Sequence, residues 1–279
     1  MRYSVGCSLP YTVVTPATMI LNVEPLRGEQ QRIIRERFTV TPQIGSEPHR
    51  AGETGNLYRR LVLPPGSYTV RYEGEVEMLP SVSDPQAVDE VPISELPLEV
   101  LPYLYPSRFC PSDMLGRFAW RQFGEIAPGH ERVAGICNWI YEYVDYLGGS
   151  SNSSTSAHDT FTQRAGVCRD FAHLGISFCR ALGIPARFVS AYGWKLEPQD
   201  FHAVFEAYLG GRWYLFDATR LCPIDAIVRI GVGRDAADTS FSTFYGQVDG
   251  GFKDVWVNQV GGRDDDAAWT TEAVSVARE

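Results

Sequence analysis

Cysteine, histidine and aspartate, the residue types of a nucleophilic thiol site, follow one another in the middle of the chain. Cys168 comes shortly after Gly166, at the start of a run in which apolar residues recur at helical spacing as far as Leu182. His202 and Asp217 each lie in a later stretch with strand-like composition. A thiolate nucleophile needs an imidazole base, and the imidazole needs a carboxylate to orient it. These three residues are therefore candidates for one thiol site.

The position of Cys168 in its helix favours reactivity. Gly166 interrupts the preceding structure, and Gly183 followed by Pro185 ends the apolar run. Cys168 is therefore predicted in the first turn of the helix, where unpaired N–H groups and the positive end of the dipole favour a thiolate. Cys179 lies deep in the same apolar run, and we expect it to be a small buried hydrophobe.

Four segments of the chain resemble the transglutaminase-like superfamily, which has the papain-like cysteine-protease core. They are residues 166–173, 183–192, 201–208 and 211–219, reading GVCRDFAH, GIPARFVSAY, FHAVFEAY and GRWYLFDAT. They occur in the family's order, with short spacers. The resemblance implies Cys168 as nucleophile, His202 as base and Asp217 as the acid that orients the imidazole. It also implies an α+β fold, in which the helix bearing the cysteine packs on an antiparallel sheet.

Other ionisable side chains near the cysteine fit secondary roles better. His173 lies five positions after Cys168, so an ideal helix rotates it by roughly 140° away from the thiol. A hydrogen bond behind the site is the expected role of His173. Arg169 and Asp170 are expected to stay near the mouth of the site or to pair with each other.

An acyl-transfer thiol enzyme also needs two hydrogen-bond donors for the oxyanion. The backbone N–H of Cys168 can supply one, and Gln163, just upstream, is the candidate for the second; a contact at a helix end or in a loop is the alternative role for Gln163. Tyr192, Trp194 and Asp235 are candidates for lining the substrate cleft.

The elements that must position these residues divide the chain into four parts. Residues 1–78 contain short runs rich in Val, Ile, Tyr and Thr, which predict a small β-sandwich and resemble the β-rich amino-terminal module of bacterial transglutaminase-like proteins. A scaffold role is the favoured interpretation of this module. The predicted parts are a β-rich domain at 1–78, a Pro-rich linker at 79–98, a catalytic domain at 99–260 and an acidic tail at 261–279.

Within the catalytic part, an apolar stripe predicts a helix from His130 to Leu147. Strands are predicted at residues 186–192, 202–209 and 213–217, and others at 226–231 and 255–257. Gly210 and Gly211 form a two-residue hairpin signal that makes the second and third of these strands antiparallel neighbours. This hairpin is expected to bring His202 and Asp217 together at one end of the sheet.

Composition limits the classes of function. The 279-residue chain is 44% hydrophobic and carries a formal charge of −9, which argues against a nucleic-acid partner held through phosphates. No stretch has transmembrane length, and the amino terminus lacks a long apolar segment, so we expect a cytoplasmic protein without membrane contact. The six cysteines show no paired spacing, and no zinc or calcium motif occurs. Neither a metal nor another cofactor is therefore expected.

The sequence therefore predicts a thiol-dependent acyl-transfer enzyme that acts on amide bonds of a protein or peptide substrate. Its thioester would be resolved by water, as in a protease or amidase, or by an amine, as in a crosslinking enzyme. The same triad serves both outcomes, and hydrolysis is preferred because water is the default acceptor. The alternative is a catalytically silent protein-binding module on the same core. Nothing in the chain indicates an oligomeric state.

Overall fold

The computed structural model describes residues 1–261 and 270–277. Its first part is built from extended strands, as the short β-branched and aromatic runs predicted. These strands are β1 (Arg2–Val13), β2 (Ala17–Leu21), β3 (Gln31–Thr41), β4 (Ser46–Arg50), β5 (Leu57–Leu63), β6 (Gly66–Met78) and β7 (Ser81–Ser83). Strand β4 was not predicted, because it is polar and contains Pro48. It lies at the edge of its sheet, where a proline is tolerated.

The amino-terminal strands form the predicted β-sandwich. One antiparallel sheet contains β1, β6 and β3, and the other contains β2, β5 and β4. Strand β6 alternates buried apolar residues with charged residues such as Arg71 and Glu73, as expected for a strand with one face in a core. The inner faces of the two sheets share one apolar core, which includes Tyr3, Tyr72 and Leu61.

The second part of the chain carries the helices and a four-stranded sheet. Its elements are α1 (Ser112–Phe123), α2 (His130–Tyr143), β8 (Asp145–Tyr146), α3 (Ala157–Gln163), β9 (Ala165–Gly166), α4 (Cys168–Ala181), β10 (Ala186–Gly193), β11 (Phe201–Leu209), β12 (Arg212–Phe216) and β13 (Ile227–Gly233). The sheet is antiparallel, in the order β12-β11-β10-β13. Helix α4 packs on one face of this sheet, which confirms the predicted α+β architecture.

The four-stranded sheet is covered on both faces. Phe188 and Phe205 pack into the apolar cluster that includes helix α4, whereas Val189 and Tyr192 belong to the core of the amino-terminal sheets. Every residue of β13 is buried. A sheet covered on both sides needs nearly continuous apolar strands, which is the composition seen here. The two β-rich parts of the molecule therefore share one core.

The last strands return to the amino-terminal sandwich. They are β14 (Ser242–Tyr245), β15 (Val248–Gly250), β16 (Asp254–Gln259) and β17 (Ala273–Ser275). Strand β14 pairs with β2, and both β15 and β16 pair with β1. Residues 242–259 thus complete the sandwich, whereas the sequence analysis placed them in the catalytic part. The pairing covers the otherwise open edge of β1, a long-range contact that no local pattern encodes.

Residues 79–98, predicted as a linker, are packed against the catalytic part of the molecule. Val88 and Leu96 are buried. Glu90 forms an ion pair with Arg132 of α2 at 2.9 Å and accepts a hydrogen bond from the N–H of Gly129 at 3.1 Å. The prolines that suggested a linker instead shape short 3-10 turns, among them Ile93–Glu95.

The predicted acidic tail, residues 261–279, contains a buried strand. The acidic run Arg263–Asp266 itself lies outside the described residues. Strand β17 pairs with β7, and Val274 and Val276 are each 1% exposed. This part of the predicted tail is therefore integral to the fold. In the described residues, no helix combines the length and apolarity needed to cross a membrane.

Candidate active site

Helix α4 begins at Cys168, as the sequence predicted. The Asp170 carboxylate accepts the N–H of Val167 at 2.9 Å, which closes the first turn of the helix. Asp170 is fully buried and pairs with Arg169 at 3.1 Å, so these two residues pair locally. The Cys168 side chain, by contrast, is only partly buried. The cysteine therefore lies at an accessible helix amino terminus, next to unpaired N–H groups.

Close packing brings this helix to the strand that carries the histidine. At Gly175, a Cβ atom would come within 2.5 Å of the Phe205 ring of β11. Only glycine permits this approach, since real Cβ contacts are essentially never so short. Gly175 therefore holds α4 close to β11, three residues along from His202.

The structure joins His202 and Asp217 directly. Nε2 of His202 lies 2.8 Å from Oδ2 of Asp217, and both side chains are almost completely buried. The register of the β11-β12 hairpin pairs Phe205 with Phe216. Extended toward the open end, this register makes Asp217 a diagonal neighbour of His202 on the same face. The hairpin thus brings His202 and Asp217 together, as the sequence analysis expected.

A second contact holds the carboxylate. Oδ1 of Asp217 accepts the backbone N–H of Thr219 at 2.8 Å and its hydroxyl at 2.6 Å. With Oδ1 occupied, Oδ2 is directed at the imidazole. Nδ1 of His202 makes no hydrogen bond to nitrogen or oxygen in the described residues. The nearby Cys168 thiol also favours the charged form of this ring.

The pair is held in its charged form. Burial by itself would lower the pKa of His202, but the Asp217 carboxylate, its hydrogen bond and the nearby Cys168 thiol raise that pKa to about 10. Burial likewise opposes ionisation of Asp217, yet His202 and Thr219 lower the pKa of this carboxyl. An imidazolium between a carboxylate and a thiol is the charge state that a thiolate nucleophile requires.

The other five cysteines lie in a different environment. All are buried, whereas Cys168 is partly exposed. Burial raises the pKa of Cys7 to about 11 and that of Cys110 to about 12. Burial also raises the pKa values of the remaining thiols, which belong to Cys137, Cys179 and Cys222. These side chains fill the core and remain as thiols at neutral pH.

His173, the rival base, lies behind the site. Its ring is fully buried between Phe109 and Phe188, with centroid distances of 5.2 and 5.0 Å. Nε2 accepts the backbone N–H of Ala236 at 3.1 Å. Burial, followed by the positive charges of nearby arginines, lowers the pKa of His173 well below its usual range. This imidazole is a neutral hydrogen-bond acceptor.

The residues predicted to line the cleft lie elsewhere. Tyr192 is fully buried and donates its hydroxyl to the carbonyl of Val23 at 2.8 Å. Trp194 is 5% exposed and packs in the core shared with the amino-terminal sheets. Asp235 is 1% exposed and accepts the N–H groups of Phe109 and Ala237.

None of these three side chains is accessible in the structure. Tyr192, Trp194 and Asp235 were selected because they are polar or aromatic, but their side chains pack and hydrogen-bond in the interior of the molecule. Gln163, the proposed oxyanion donor, is exposed at the last position of α3. In the described residues, no hydrogen bond joins Gln163 to Cys168.

Tyr146 is a site residue that the sequence analysis missed. The predicted helix ran to Leu147, but α2 ends at Tyr143, where Val144 turns to an extended conformation. Tyr146 then pairs with Gly166 in the parallel β8-β9 bridge. Burial and the Cys168 thiol raise the pKa of the Tyr146 hydroxyl, and the backbone N–H of Cys168 opposes this rise. No local signal marks this contact, because it depends on where α2 stops.

Comparisons with known proteins agree with this architecture. Residues 118–218 match the family described as the transglutaminase-like superfamily, and residues 1–99 match the amino-terminal domain of bacterial transglutaminase. A crystal structure of a candidate cysteine protease from Cytophaga hutchinsonii is 41% identical, with a TM-score of 0.94. The alignment covers 99% of this chain and 97% of that one.

Two mycobacterial proteins match more partially. An uncharacterised protein from Mycobacterium leprae is 35% identical over 128 residues, which is 41% of this chain and 45% of the relative. An uncharacterised protein from Mycobacterium tuberculosis is 27% identical over 185 residues, 60% of this chain and 57% of the relative. The matched part thus spans about half the length of these curated relatives.

Proposed function

Because this chain belongs to the transglutaminase-like superfamily, we propose that it is a thiol acyl-transfer enzyme acting on amide bonds. The observation that carries this proposal is the buried His202–Asp217 pair beside the accessible thiol of Cys168. The residues have the chemistry and placement of nucleophile, base and orienting acid. In the described residues, every other cysteine is buried.

In the proposed reaction, Sγ of Cys168 attacks the carbonyl carbon of an amide. His202 then gives its proton to the leaving nitrogen as the C–N bond breaks, which leaves a thioester on Cys168. Asp217 holds the tautomer and stabilises the imidazolium. Thr219 keeps the carboxylate directed at the ring through its two hydrogen bonds to Oδ1.

The thioester is resolved by water or by a primary amine. We favour hydrolysis, since water is present at every accessible thiol site. The substrate class is a protein or peptide, because the thiol lies at a partly exposed helix end that an extended chain can reach. The cytoplasmic location remains a prediction from the sequence.

A peptide library tests this proposal, incubated with and without an added primary amine and analysed by mass spectrometry. Without the amine, we expect new peptide termini or deamidated side chains. The same hydrolysis products should still form when the amine is present and competes with water. Cys168→Ala should abolish every product, whereas Cys179→Ala, which alters a buried thiol on the same helix, should retain them per folded molecule. Product formation by Cys168→Ala would exclude this site, and exclusive amine incorporation would favour crosslinking.

A further inference from the structure

The amino terminus of α4 offers one oxyanion donor, the backbone N–H of Cys168. A tetrahedral intermediate in acyl transfer is usually held by two donors. Gln163 was the sequence-based candidate for the second, but it lies exposed at the end of α3, beyond which Arg164 adopts a left-handed conformation. The second donor is therefore to be sought among the other side chains near the Cys168 N–H.

Tyr146 lies next to the space in front of this N–H, because its backbone pairs with Gly166, two residues before Cys168. The β8-β9 bridge anchors its backbone on both sides. The N–H of Asp145 donates to the carbonyl of Arg164 at 2.8 Å, and the N–H of Leu147 donates to the carbonyl of Gly166 at 2.9 Å. The Tyr146 ring packs on Phe171 of α4 at a centroid distance of 5.7 Å. Backbone and ring are thus both fixed to the segment that leads into the nucleophile.

The hydroxyl of Tyr146 meets both reactive groups of Cys168. The Cys168 thiol raises the pKa of this hydroxyl, whereas the backbone N–H of Cys168 lowers it, so both groups are near the Tyr146 oxygen. Catalytic hydrogen bonds commonly tighten only when substrate binds. The residue is 48% exposed, so an incoming carbonyl can reach the same space.

We propose that Tyr146 is the second oxyanion donor, with its hydroxyl near the Cys168 sulfur at rest and bonded to the substrate oxygen during attack. This rests on the proposed acyl-transfer function. As Sγ bonds to the carbonyl carbon, the π pair moves onto oxygen, and the Tyr146 O–H and the Cys168 N–H both donate to that oxygen. No proton is transferred in this step. The C–N bond then breaks with the proton from His202, and the oxygen pair re-forms the carbonyl.

Two reagents separate this role from general thiol reactivity. Iodoacetamide is attacked at a saturated carbon and forms no oxyanion, whereas p-nitrophenyl acetate is attacked at a carbonyl. Tyr146→Phe keeps the ring on Phe171 and removes only the hydroxyl. We expect the acylation rate to fall by about 10²-fold, the effect of losing one oxyanion donor. This fall should exceed any change in the alkylation rate measured at a pH where the thiol is fully ionised.

Matched controls are Tyr143→Phe and Gln163→Ala. Tyr143 is 56% exposed and stacks on Trp139, away from the thiol. Both variants should keep the wild-type rates with both reagents. An unchanged acylation rate in Tyr146→Phe would overturn the proposal, and so would a loss in Gln163→Ala of the size expected for Tyr146→Phe.

The dependence of the alkylation rate on pH separates the donor role of Tyr146 from the acyl-transfer function. If the wild-type protein is not acylated at Cys168, the acyl-transfer function fails. The donor role of Tyr146 toward the thiolate is then judged from alkylation against pH. Loss of a donor should move the midpoint of that profile to higher pH in Tyr146→Phe. An unmoved midpoint would overturn the donor role of Tyr146. Near-ultraviolet circular dichroism verifies that each variant is folded.

Discussion

The two ends of helix α4 differ in the accessibility and charge of their side chains. Its amino end carries one cysteine, and the body of the helix carries a histidine and a second cysteine. At the amino end, Cys168 is accessible and faces His202, whose buried ring is charged because Asp217 lies 2.8 Å away. In the body of the helix, His173 is neutral and Cys179 is fully buried. Both histidines are buried, so burial alone does not decide the charge.

The difference lies in the partners of each ring. His202 faces a carboxylate, and electrostatic attraction more than offsets the desolvation of the imidazolium. His173 lies between two phenylalanine rings and accepts a backbone N–H, so a proton on this ring would have no anionic partner. A buried histidine is therefore charged or neutral according to the group beside it.

The largest expected effect is the loss of His202. His202→Ala removes both the base and the charge partner of Cys168, and we expect turnover to fall by about 10²–10⁴-fold. His173→Ala should lose far less activity per folded molecule, because its ring does not reach the thiol. Turnover of a substrate found in the peptide screen measures both. Equal losses of turnover in His202→Ala and His173→Ala would contradict the different roles of the two histidines.

Asp217→Asn should have the next largest effect. The amide can still hydrogen-bond, but it neither favours the correct tautomer nor stabilises the imidazolium. The corresponding change in a serine triad costs about 10⁴ in rate; for an ionised thiolate–imidazolium pair we expect a smaller loss, about 10–10³-fold. Circular dichroism checks the fold. A folded variant with unchanged turnover would exclude Asp217 as the residue that orients His202.

The two cysteines should also differ in reactivity. We expect limited iodoacetamide at mildly acidic pH to label Cys168 at least about tenfold faster than Cys179, since a thiolate rather than a thiol reacts. Burial raises the pKa of Cys179 well above its usual range and also excludes the reagent. Peptide mapping identifies the labelled residue. Equal labelling of both cysteines would contradict the difference between the two ends of α4.

The smallest effect concerns stability. His173→Leu leaves the buried N–H of Ala236 without its acceptor, and we expect the free energy of unfolding to fall by about 1–3 kcal/mol. The pKa of His173 is lowered in the folded state, so its contribution is present above about pH 6.5 and is lost as the pH falls below that value.

The pH dependence distinguishes the two histidines. Because the pKa of His202 is raised to about 10, its contribution is present below about pH 6.5 and is lost as the pH rises through 10. Urea denaturation of the wild type and of His173→Leu between pH 5 and 7 measures the contribution of His173 to stability. The variant should lose less stability on acidification than the wild type, and parallel curves would exclude His173 as the group responsible.

The sequence by itself determined helix α4 and the β11-β12 hairpin, because both depend on short-range patterns. Helical spacing between two glycine breaks placed Cys168 at a helix start, and Gly210–Gly211 set the register that joins His202 to Asp217. The family resemblance supplied the roles of these residues. The strands of the amino-terminal sandwich were likewise evident from their alternation and turn residues.

Only the tertiary structure decided what surrounds these elements. Strands β14 to β16 cross to the amino-terminal sheets, and residues 79–98 pack on α2, because edges and apolar side chains are covered by distant parts of the chain. Tyr192, Trp194 and Asp235 are buried between layers that no local pattern locates. Tyr146 reaches Cys168 because α2 ends at Tyr143 and a parallel bridge redirects the chain. Such positions depend on contacts between residues far apart in sequence, which composition and periodicity do not encode.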